Sequence, residues 1–409
     1  MPPAWGGCAK VSGKFGDVLA MAAVECAAVG VIVQKYGGSS VADAEKIQRV
    51  AGRVAKTRAE GHQVVVVVSA MGDTTDDLLA LARKVSPDPH RRELDMLLTA
   101  GERISMALLG MALHARSVEA VSFTGSQSGI ITDGAHTNAR ILEVRPVRIL
   151  EELARGRVVI VAGYQGVSRE KEVTTLGRGG SDTTAVALAA ALDAEVCEIC
   201  SDVDGVYTAD PRVVPGARRL SELSHEEMQE LALGGARVLN AQAVEFARDR
   251  GITIHARSTF APGPGTKIAR STRRELRVSG VAQDAEILVV RGAAAAVLPV
   301  LDAQGAFPRE LWSDRGEVRA IVPLENVHGV AALLAALKAV ATVDEDLAQV
   351  SVVGTGLGAS REPLERALRA VGVEPRGVLV TPLRIALLVP RTVALECTRR
   401  LHHEFIEGS

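Results

Sequence analysis

The chain has 409 residues, 47% of them hydrophobic, and its 47 basic and 49 acidic residues give a net charge of −2. This length and composition indicate two or three globular domains. The near-neutral charge, without a basic block or aromatic and basic residues in alternation, argues against nucleic acid and anionic membranes as partners. Five cysteines in a chain of this length do not form a disulfide framework, so a cytoplasmic location is predicted.

The N-terminal segment contains an apolar tract from Phe15 to Val33 that is interrupted by Asp17 and Glu25. We therefore predict neither a transmembrane helix nor a signal peptide. Residues 1–30 fit neither of the domains described below. We expect them to be a poorly ordered extension or the product of a misplaced start codon.

From residue 31 to about 270, short apolar runs alternate with longer helical patterns, which predicts a parallel sheet covered by helices. Three continuous β-branched runs are predicted to be strands buried on both faces: Val31–Gln34, Val64–Val68 and Val158–Ala162. Ligands bind beyond the carboxyl ends of such strands. We therefore look for a site in three following segments: Lys35–Ser40, Ser69–Thr75 and Gly163–Gly166.

A turn-forming cluster at Ala261–Lys267 predicts the end of the first domain. Five strand candidates separated by helical stretches follow it: Glu286–Val290, Val318–Val322, Gln349–Val353, Val378–Val380 and Arg384–Val389. Their order suggests two small βαββαβ-like units, at about 278–345 and 349–404. The predicted organisation is thus an extension at 1–30, a first domain at 31–270 and a tandem region at 278–409.

The first chemical motif, Lys35–Ser40, lies between a predicted buried strand and a helix expected to begin near Ala42. Its paired glycines allow backbone N–H groups to approach an anion, and Lys35 adds a full positive charge. The stretch is not a Walker P-loop, because GxxxxGK[ST] is absent. An ordinary Gly-Gly-Ser turn remains the alternative.

The second motif, Thr174–Thr184, places three glycines around Arg178 and then Ser181-Asp182 at a predicted helix start. Such a segment combines a backbone nest for anions with a guanidinium that can bind a carboxylate through two hydrogen bonds. A capped helix with a solvated arginine is the alternative. That alternative explains the cap but not the glycines on both sides of Arg178.

The third motif, Ser201–Arg212, follows a predicted strand at Val196–Cys200. Its Asp-x-Asp-Gly start is not a calcium loop, because the glutamate at position 12 is missing. A polar loop at a strand end suits the ribose and phosphates of a nucleotide, and a plain connection is the alternative. Cys197 and Cys200 form a CxxC sequence, but residues three apart in a strand point to opposite faces, so we expect no metal or redox pair.

Together these residues resemble the aspartate kinases of the amino-acid-kinase family over residues 31 to about 270. The resemblance rests on motifs in the family's order: Val33–Ser40, Leu98–Arg103, Phe123–Gln127, Gly177–Thr184 and Ser201–Arg212. It implies a three-layer αβα amino-acid-kinase fold with a mainly parallel sheet, followed by two βαββαβ ACT-like units. It also implies ATP-dependent phosphorylation of the side-chain carboxylate of L-aspartate to 4-phospho-L-aspartate.

The resemblance assigns roles to individual residues. Lys35 and the amides of Gly37 and Gly38 would hold the transferring phosphate, with Mg²⁺ bridging the ATP oxygens. Arg178 would bind the α-carboxylate of aspartate, and Glu102 its ammonium group. Further substrate contacts are expected from Ser69, Thr75, Ser181 and Asp182. The ATP site is expected to comprise Lys35, Gly38, Ser39, Ser201, Asp202, Tyr207, Thr208, Asp210, Arg212 and Arg237.

Taken singly, two of these positions have simpler interpretations: Glu102 as a solvated carboxylate paired with Arg103 or Arg92, and Ser69 as a helix cap. One catalytic position departs from the family, because Arg237 stands where a lysine is typical. The charge is kept, but a planar guanidinium replaces a compact ammonium group.

The C-terminal half departs further from the family. Gly292 runs directly into Ala293–Ala296 without the expected Asp-x-Pro-Gly loop, which shortens the first unit. Val380–Leu383 replaces the Ser-Thr-Ser-Glu run of regulated members. These loops would hold a free amino acid, so we expect weak or absent feedback inhibition by lysine and threonine. The apolar strands and helices are retained and predict a homodimer or larger oligomer.

Two alternatives remain open at this point. One is another kinase of the same superfamily, acting on glutamate, acetylglutamate or a nucleotide; Glu102, Arg178 and the tandem tail argue against it. The other is a catalytically weak regulatory subunit that binds amino acids or partner chains. Lys35, Arg178 and Asp182 argue against this second alternative, whereas Arg237 leaves it open.

Overall fold

The computed structural model describes residues 30–177, 179–271, 277–325, 327 and 329–408. The first part of the chain forms strands β1 (Val31–Tyr36), β2 (Gln63–Val68), β3 (Ala120–Phe123), β4 (Ile130–Thr132), β5 (Ile141–Val144), β6 (Val158–Ala162), β7 (Gln165–Ser168), β8 (Val173–Thr175), β9 (Val196–Ser201), β10 (Glu222–Ser224), β11 (Ile254–Ser258) and β12 (Thr266–Ala269). Its helices are α1 (Ala44–Ala59), α2 (Thr74–Val85), α3 (Arg91–Leu98), α4 (Ala100–His114), α5 (Val147–Ala154), α6 (Gly180–Ala191), α7 (His225–Leu233) and α8 (Ala241–Arg250).

The C-terminal part forms strands β13 (Arg277–Asp284), β14 (Ile287–Ala293), β15 (Glu310–Asp314), β16 (Glu317–Pro323), β17 (Thr342–Asp344), β18 (Leu347–Thr355), β19 (Gly377–Val380) and β20 (Arg384–Pro390). Its helices are α9 (Ala294–Ala303), α10 (Val330–Lys338), α11 (Glu362–Val371) and α12 (Ala394–His402). A π-helical turn, His403–Glu407, continues α12.

The main sheet has eight strands in the order β10-β12-β11-β9-β1-β2-β6-β3. Its neighbouring strands pair in parallel, apart from the antiparallel pair β11–β12. One face packs on α1 and α4, and the other packs on α5, α6, α7 and α8. The predicted three-layer αβα fold with a mainly parallel sheet is therefore confirmed, and the three β-branched runs form its adjacent strands β1, β2 and β6.

The alternation of side chains across this sheet separates the two cysteines of the CxxC sequence. Cys197 packs in the core on the α6 side, and Cys200 packs on the α1 side. Burial raises the pKa of both thiols, that of Cys200 to about 12. The prediction that the two sulfurs diverge is confirmed.

The helical stretch Arg91–His114 is long and apolar enough to cross a membrane by length and composition alone. Half of its most apolar window, however, is buried inside the protein. Leu109 and Leu113, for example, are completely buried against the main sheet. This is the pattern of a core helix.

The C-terminal part contains two four-stranded antiparallel sheets, ordered β15-β16-β14-β17 and β13-β18-β20-β19. All five predicted strands are present. The predicted start of the first unit at about 278 is wrong, because β13 pairs with β18 in the second sheet. The second sheet thus takes one strand from upstream of the first unit. As the sequence predicted, α9 follows β14 without an intervening loop.

The β13–β18 pair gives a test of this arrangement. A Cβ atom added at Gly354 would lie 2.0 Å from the backbone oxygen of Arg277 on β13. We expect Gly354→Ala to destabilise the fold by about 1–3 kcal/mol, because backbone must move to make room. The measurement is the thermal unfolding midpoint. Gly134→Ala is the matched control, since its added Cβ would meet no atom within 4 Å; an equal midpoint for both variants would contradict the pairing.

Candidate active site

The candidate site lies at the carboxyl edge of the main sheet, where β1 and the N-terminus of α6 meet. The Nζ atom of Lys35 lies 2.7 Å from Oδ1 of Asp182, and the two side chains are 12% and 10% exposed. Side-chain alternation in β1 directs Lys35 towards α6, whereas Gln34 and Tyr36 face α1. The structure therefore brings together two residues that are 147 positions apart in the sequence.

The glycine turn after β1 is packed directly against the loop after β2. The N–H of Gly72 donates to the carbonyl of Gly38 at 3.1 Å. A Cβ atom at Gly38 would lie 2.9 Å from the carbonyl oxygen of Ala70 and 3.1 Å from that of Gly72. Only glycine allows these two backbones to approach so closely. A Cβ atom at Gly37 would lie 3.5 Å from Nζ of Lys35, so the lysine ammonium group lies beside this turn.

Glu102 lies in the first turn of α4 and is only 3% exposed. Its Oε1 accepts a 3.2 Å hydrogen bond from the N–H of Ala70, and its Oε2 has no hydrogen-bond partner among the described residues. Burial raises its pKa to about 7, although the backbone hydrogen bonds act in the opposite direction. The interpretation of Glu102 as a solvated carboxylate is wrong because its side chain is buried, and Arg92 pairs with Glu93 and Glu172 instead.

Ser69 and Ser181 lie at two further strand and helix ends of the same edge. The N–H of Ser69 donates to the carbonyl of Tyr36 at 3.1 Å, directly after β2. Ser69 does not cap α2, whose N-cap position is Asp73. A Cβ at Gly163, just after β6, would lie 2.7 Å from Oγ of Ser181, so these two segments are in close contact. Thr75 is half-buried in the first turn of α2.

The glycine-rich loop before α6 has the backbone that its sequence predicts. Gly177 and Gly179 both have φ of +74°, in the left-handed region that favours glycine. Gly179 is the N-cap of α6, and the N–H of Asp182 donates to its carbonyl at 3.0 Å. Arg178 lies outside the described residues, so its role stays a prediction.

Asp95 on α3, a residue that the sequence analysis did not identify, binds the strand end that precedes this loop. Its buried carboxylate accepts from the hydroxyl of Thr175 at 2.6 Å and from the N–H of Thr137 at 3.0 Å. Nδ1 of His136 lies 2.7 Å from its other oxygen. Burial raises the pKa of Asp95, against these hydrogen bonds. The available signal was a lone aspartate among the apolar residues Leu94, Met96 and Leu97.

The loop Ser201–Arg212 follows β9 at the same sheet edge. Ser201 is half-buried and Asp202 is exposed. The hydroxyl of Tyr207 donates to Asp204 at 2.9 Å, and Arg212 pairs with Asp210 at 2.7 Å. Thr208 differs from the other predicted residues of this loop. It is 5% exposed, and its Oγ1 lies 2.8 Å from Nε2 of His402 in the C-terminal part.

Arg237 forms an ion pair with the C-terminal part of the chain. Its guanidinium is 70% exposed and pairs with Glu286, just before β14, at 2.9 Å. The neighbouring Gly235 packs on the backbone of Gln283 in β13. This loop is therefore held by the C-terminal part of the chain, and the predicted contact of Arg237 with ATP stays a prediction.

These features of fold and site are those of an amino acid kinase, and the comparisons agree. The model of the amino acid kinase family matches residues 30–258. The aspartokinase of Mycolicibacterium smegmatis is 46% identical over 406 residues, which cover 92% of this chain and 96% of that protein. The aspartokinase of Corynebacterium glutamicum is 44% identical over 414 residues, covering 93% and 97%.

The structure of E. coli aspartokinase III with aspartate and ADP (R-state) has the same fold, with a TM-score of 0.81 at 24% identity over 91% of this chain and 99% of that one. The chain belongs to the aspartokinase family of amino acid kinases. The prediction that it is an aspartate kinase is thereby confirmed.

The close contact at Gly38 gives a test of the glycine turn. We expect Gly38→Ala to lower kcat/KM by about 10²-fold, because the turn must shift away from two carbonyl oxygens. Gly37→Ala is the comparison variant and should lose less, since its Cβ would meet only the flexible Lys35 side chain. Steady-state aspartate kinase assays on both folded variants provide the measurement. Equal losses would show that the Gly38–Ala70 contact is unimportant.

Proposed function

We propose that this chain transfers the γ-phosphoryl group of ATP to the side-chain carboxylate of L-aspartate, forming 4-phospho-L-aspartate. The observation that carries the proposal is the arrangement at the carboxyl edge of the sheet. The ammonium group of Lys35, which pairs with Asp182, and the Gly37–Gly38 turn form a glycine-lined surface suited to a phosphate. Beside them, Glu102 offers a buried oxygen that has no partner among the described residues, suited to an ammonium group.

In this mechanism the protein positions the reactants and neutralises charge, since phosphoryl transfer needs little covalent help. Lys35 and the Gly37 and Gly38 amides hold the transferring phosphate. Glu102, with Asp182, binds the substrate ammonium group, and Arg178 binds its α-carboxylate. The β-carboxylate is ionised at neutral pH and attacks without a general base. Ser69, Thr75 and Ser181 orient it.

The nucleotide is proposed to lie along the loop after β9. Ser39 and the loop residues Ser201, Asp202, Tyr207, Asp210 and Arg212 would line its site. The resemblance also assigns Arg237 to the site and Thr208 to the loop that forms it. Within the described residues, no group of three His, Cys, Asp or Glu side chains could hold a metal ion. Mg²⁺ would be bound through the ATP phosphates and would neutralise their charge.

The domain assignment follows from the same proposal. Residues 31–270 would form the catalytic domain and residues 278–409 a tandem ACT-like region with a shortened first unit. We propose a cytoplasmic enzyme that assembles as a homodimer or larger oligomer through this region. It would catalyse the first step of the pathway to the aspartate family of amino acids, which includes lysine and threonine.

Feedback inhibition is proposed to be weak or absent. The supporting observation is that α9 begins at Ala294, directly after β14, so the first unit lacks the polar loop expected there. The corresponding stretch of the second unit, Val380–Leu383, supplies one hydroxyl, and Thr381 Oγ1 accepts from the N–H of Leu383. Little remains in either place to bind the ammonium and carboxylate groups of a free amino acid.

A hydroxamate assay tests the proposed chemistry, because hydroxylamine traps an acyl phosphate directly. With ATP, Mg²⁺ and L-aspartate we expect a coloured hydroxamate that persists when lysine and threonine are added at low millimolar concentration. L-Glutamate in place of aspartate is the matched substrate control and should give little product. Loss of colour with either amino acid would contradict weak feedback. ATP binding without any product would favour the regulatory-subunit alternative.

The raised pKa of Glu102 predicts how aspartate use depends on pH. The carboxylate pairs with the substrate ammonium group only when ionised, so kcat/KM for aspartate should fall as pH drops through about 7. At pH 6 the ionised fraction is about tenfold lower than at pH 8, whereas KM for ATP should hardly change. Glu102→Gln should lower kcat/KM for aspartate about tenfold or more and abolish this pH limb. If kcat/KM for aspartate still falls at low pH in Glu102→Gln, another group causes the fall.

A further inference from the structure

A buried polar contact joins the proposed nucleotide loop to the C-terminal helix of the chain. Oγ1 of Thr208 lies 2.8 Å from Nε2 of His402, across 194 residues of sequence. The His402 side chain is completely buried at the end of α12, and Thr208 is nearly so. Unsatisfied polar groups are costly at such depth, so each partner constrains the position of the other.

The hydrogen bonds around this contact have a defined direction. The N–H of Arg218 donates to Oγ1 of Thr208 at 3.0 Å, so the hydroxyl proton is available for Nε2 of His402. Nε2 then accepts, and Nδ1 carries the ring proton, which it donates to Oε1 of Glu407 at 3.1 Å. Burial lowers the pKa of His402, against the effect of Glu407, and so favours this neutral form.

The remaining polar atoms of Thr208 are also bonded within the protein. Its N–H donates to the carbonyl of Arg218 at 2.9 Å, and its carbonyl accepts from the N–H of Val281 in β13 at 2.7 Å. Thr208 therefore has no polar atom left over for a ligand in this arrangement. Its position in the loop is better explained by a junction with the C-terminal part than by direct contact with a nucleotide.

The same end of the chain contacts the loop at two more places. Nε of Arg399 donates to the carbonyl of Val213 at 3.0 Å. The carboxylate of Glu407 lies against Gly216, where a Cβ would stand 2.7 Å from Oε1. The helix end thus covers the stretch from Thr208 to Gly216 on one side, while Ser201 and Asp202 lie at the sheet edge.

We propose that His402 is a positioning residue for ATP: through Thr208 it fixes the loop that binds the nucleotide, so the C-terminal helix sets the affinity of the catalytic domain for ATP. This inference rests on the proposed function, in which residues 201–212 line the ATP site. A positioning role for His402 can be distinguished from a purely structural role by its effect on the two substrates. Loss of the contact should alter ATP use selectively and leave aspartate use almost unchanged.

The test compares His402→Ala with His402→Gln in the full-length protein, with ATP and aspartate varied separately and ADP release measured. His402→Ala should raise KM for ATP about 5- to 10-fold, the equivalent of one lost hydrogen bond. KM for aspartate should change less than about twofold, because the lost hydrogen bond lies in the proposed nucleotide loop. His402→Gln, whose side-chain amide can accept from Thr208, should recover most of the ATP affinity. His403→Ala is the matched control, because its 76% exposed ring also pairs with Glu407, so this variant removes that pairing but keeps the His402–Thr208 contact.

An unchanged KM for ATP in folded His402→Ala would overturn the inference, as would equal rises in both KM values. If His402→Ala does not fold, Thr208→Val and Thr208→Ser replace it: the valine removes the hydroxyl and should raise KM for ATP, whereas the serine keeps it. Equal KM values in those two variants would also overturn the inference. Failure of the proposed function would look different, because the unmodified protein itself would then show no aspartate-dependent ADP release.

Discussion

The rest of the site depends on one ion pair, between Lys35 at the end of β1 and Asp182 in the first turn of α6. Each charge is almost buried, and removing two charges from water costs several kcal/mol per ion unless they are paired. The pair therefore requires that the end of β1 and the start of α6 meet. The position of Asp182 at a helix N-terminus adds a favourable interaction with the helix dipole. The Gly37–Gly38 turn follows β1 directly, and the Gly163–Ser181 contact involves the residue before Asp182.

A second polar network supports β1 from the opposite face of the sheet. Glu198 on β9 accepts from Gln34 on β1 at 2.9 Å and pairs with Arg257 at 2.6 Å and Arg53 at 3.3 Å. Burial raises the pKa of Glu198, but the two guanidinium groups outweigh it, and the net shift is downward. This network secures the register in which Lys35 points towards α6. A slip of one residue would move Lys35 to the wrong face of the sheet.

Strands β1, β2 and β6, and the glycine-rich segments at their carboxyl ends, could be predicted because both depend on local sequence patterns. Continuous β-branched runs define β2 and β6, and glycines flank the positions that need left-handed or closely packed backbone. In contrast, β13 was missed because its residues, such as Ser279, Gly280 and Gln283, lack an apolar pattern. Thr208 and His402 are far apart in sequence, and no local pattern indicates that their side chains meet.

The burial of Glu102 also required the three-dimensional structure. In the sequence it is a helix carboxylate next to Arg103, and such residues are usually solvated. Its burial follows from the packing of α4 on the loop after β2, where a Cβ at Gly101 would lie 2.7 Å from the Cβ of Ala70. That packing leaves one carboxylate oxygen without a hydrogen-bond partner among the described residues. The unpaired oxygen, rather than the family motif alone, supports a role in binding a cationic group.

The most direct test of this account is a double-mutant cycle on the central ion pair. The value of kcat is measured for Lys35→Met, Asp182→Asn and the double variant, after each is shown to be folded. If the two side chains act as one unit, the double variant should be little slower than the slower single variant. Losses that simply multiply would contradict the account, because Lys35 and Asp182 would then contribute independently.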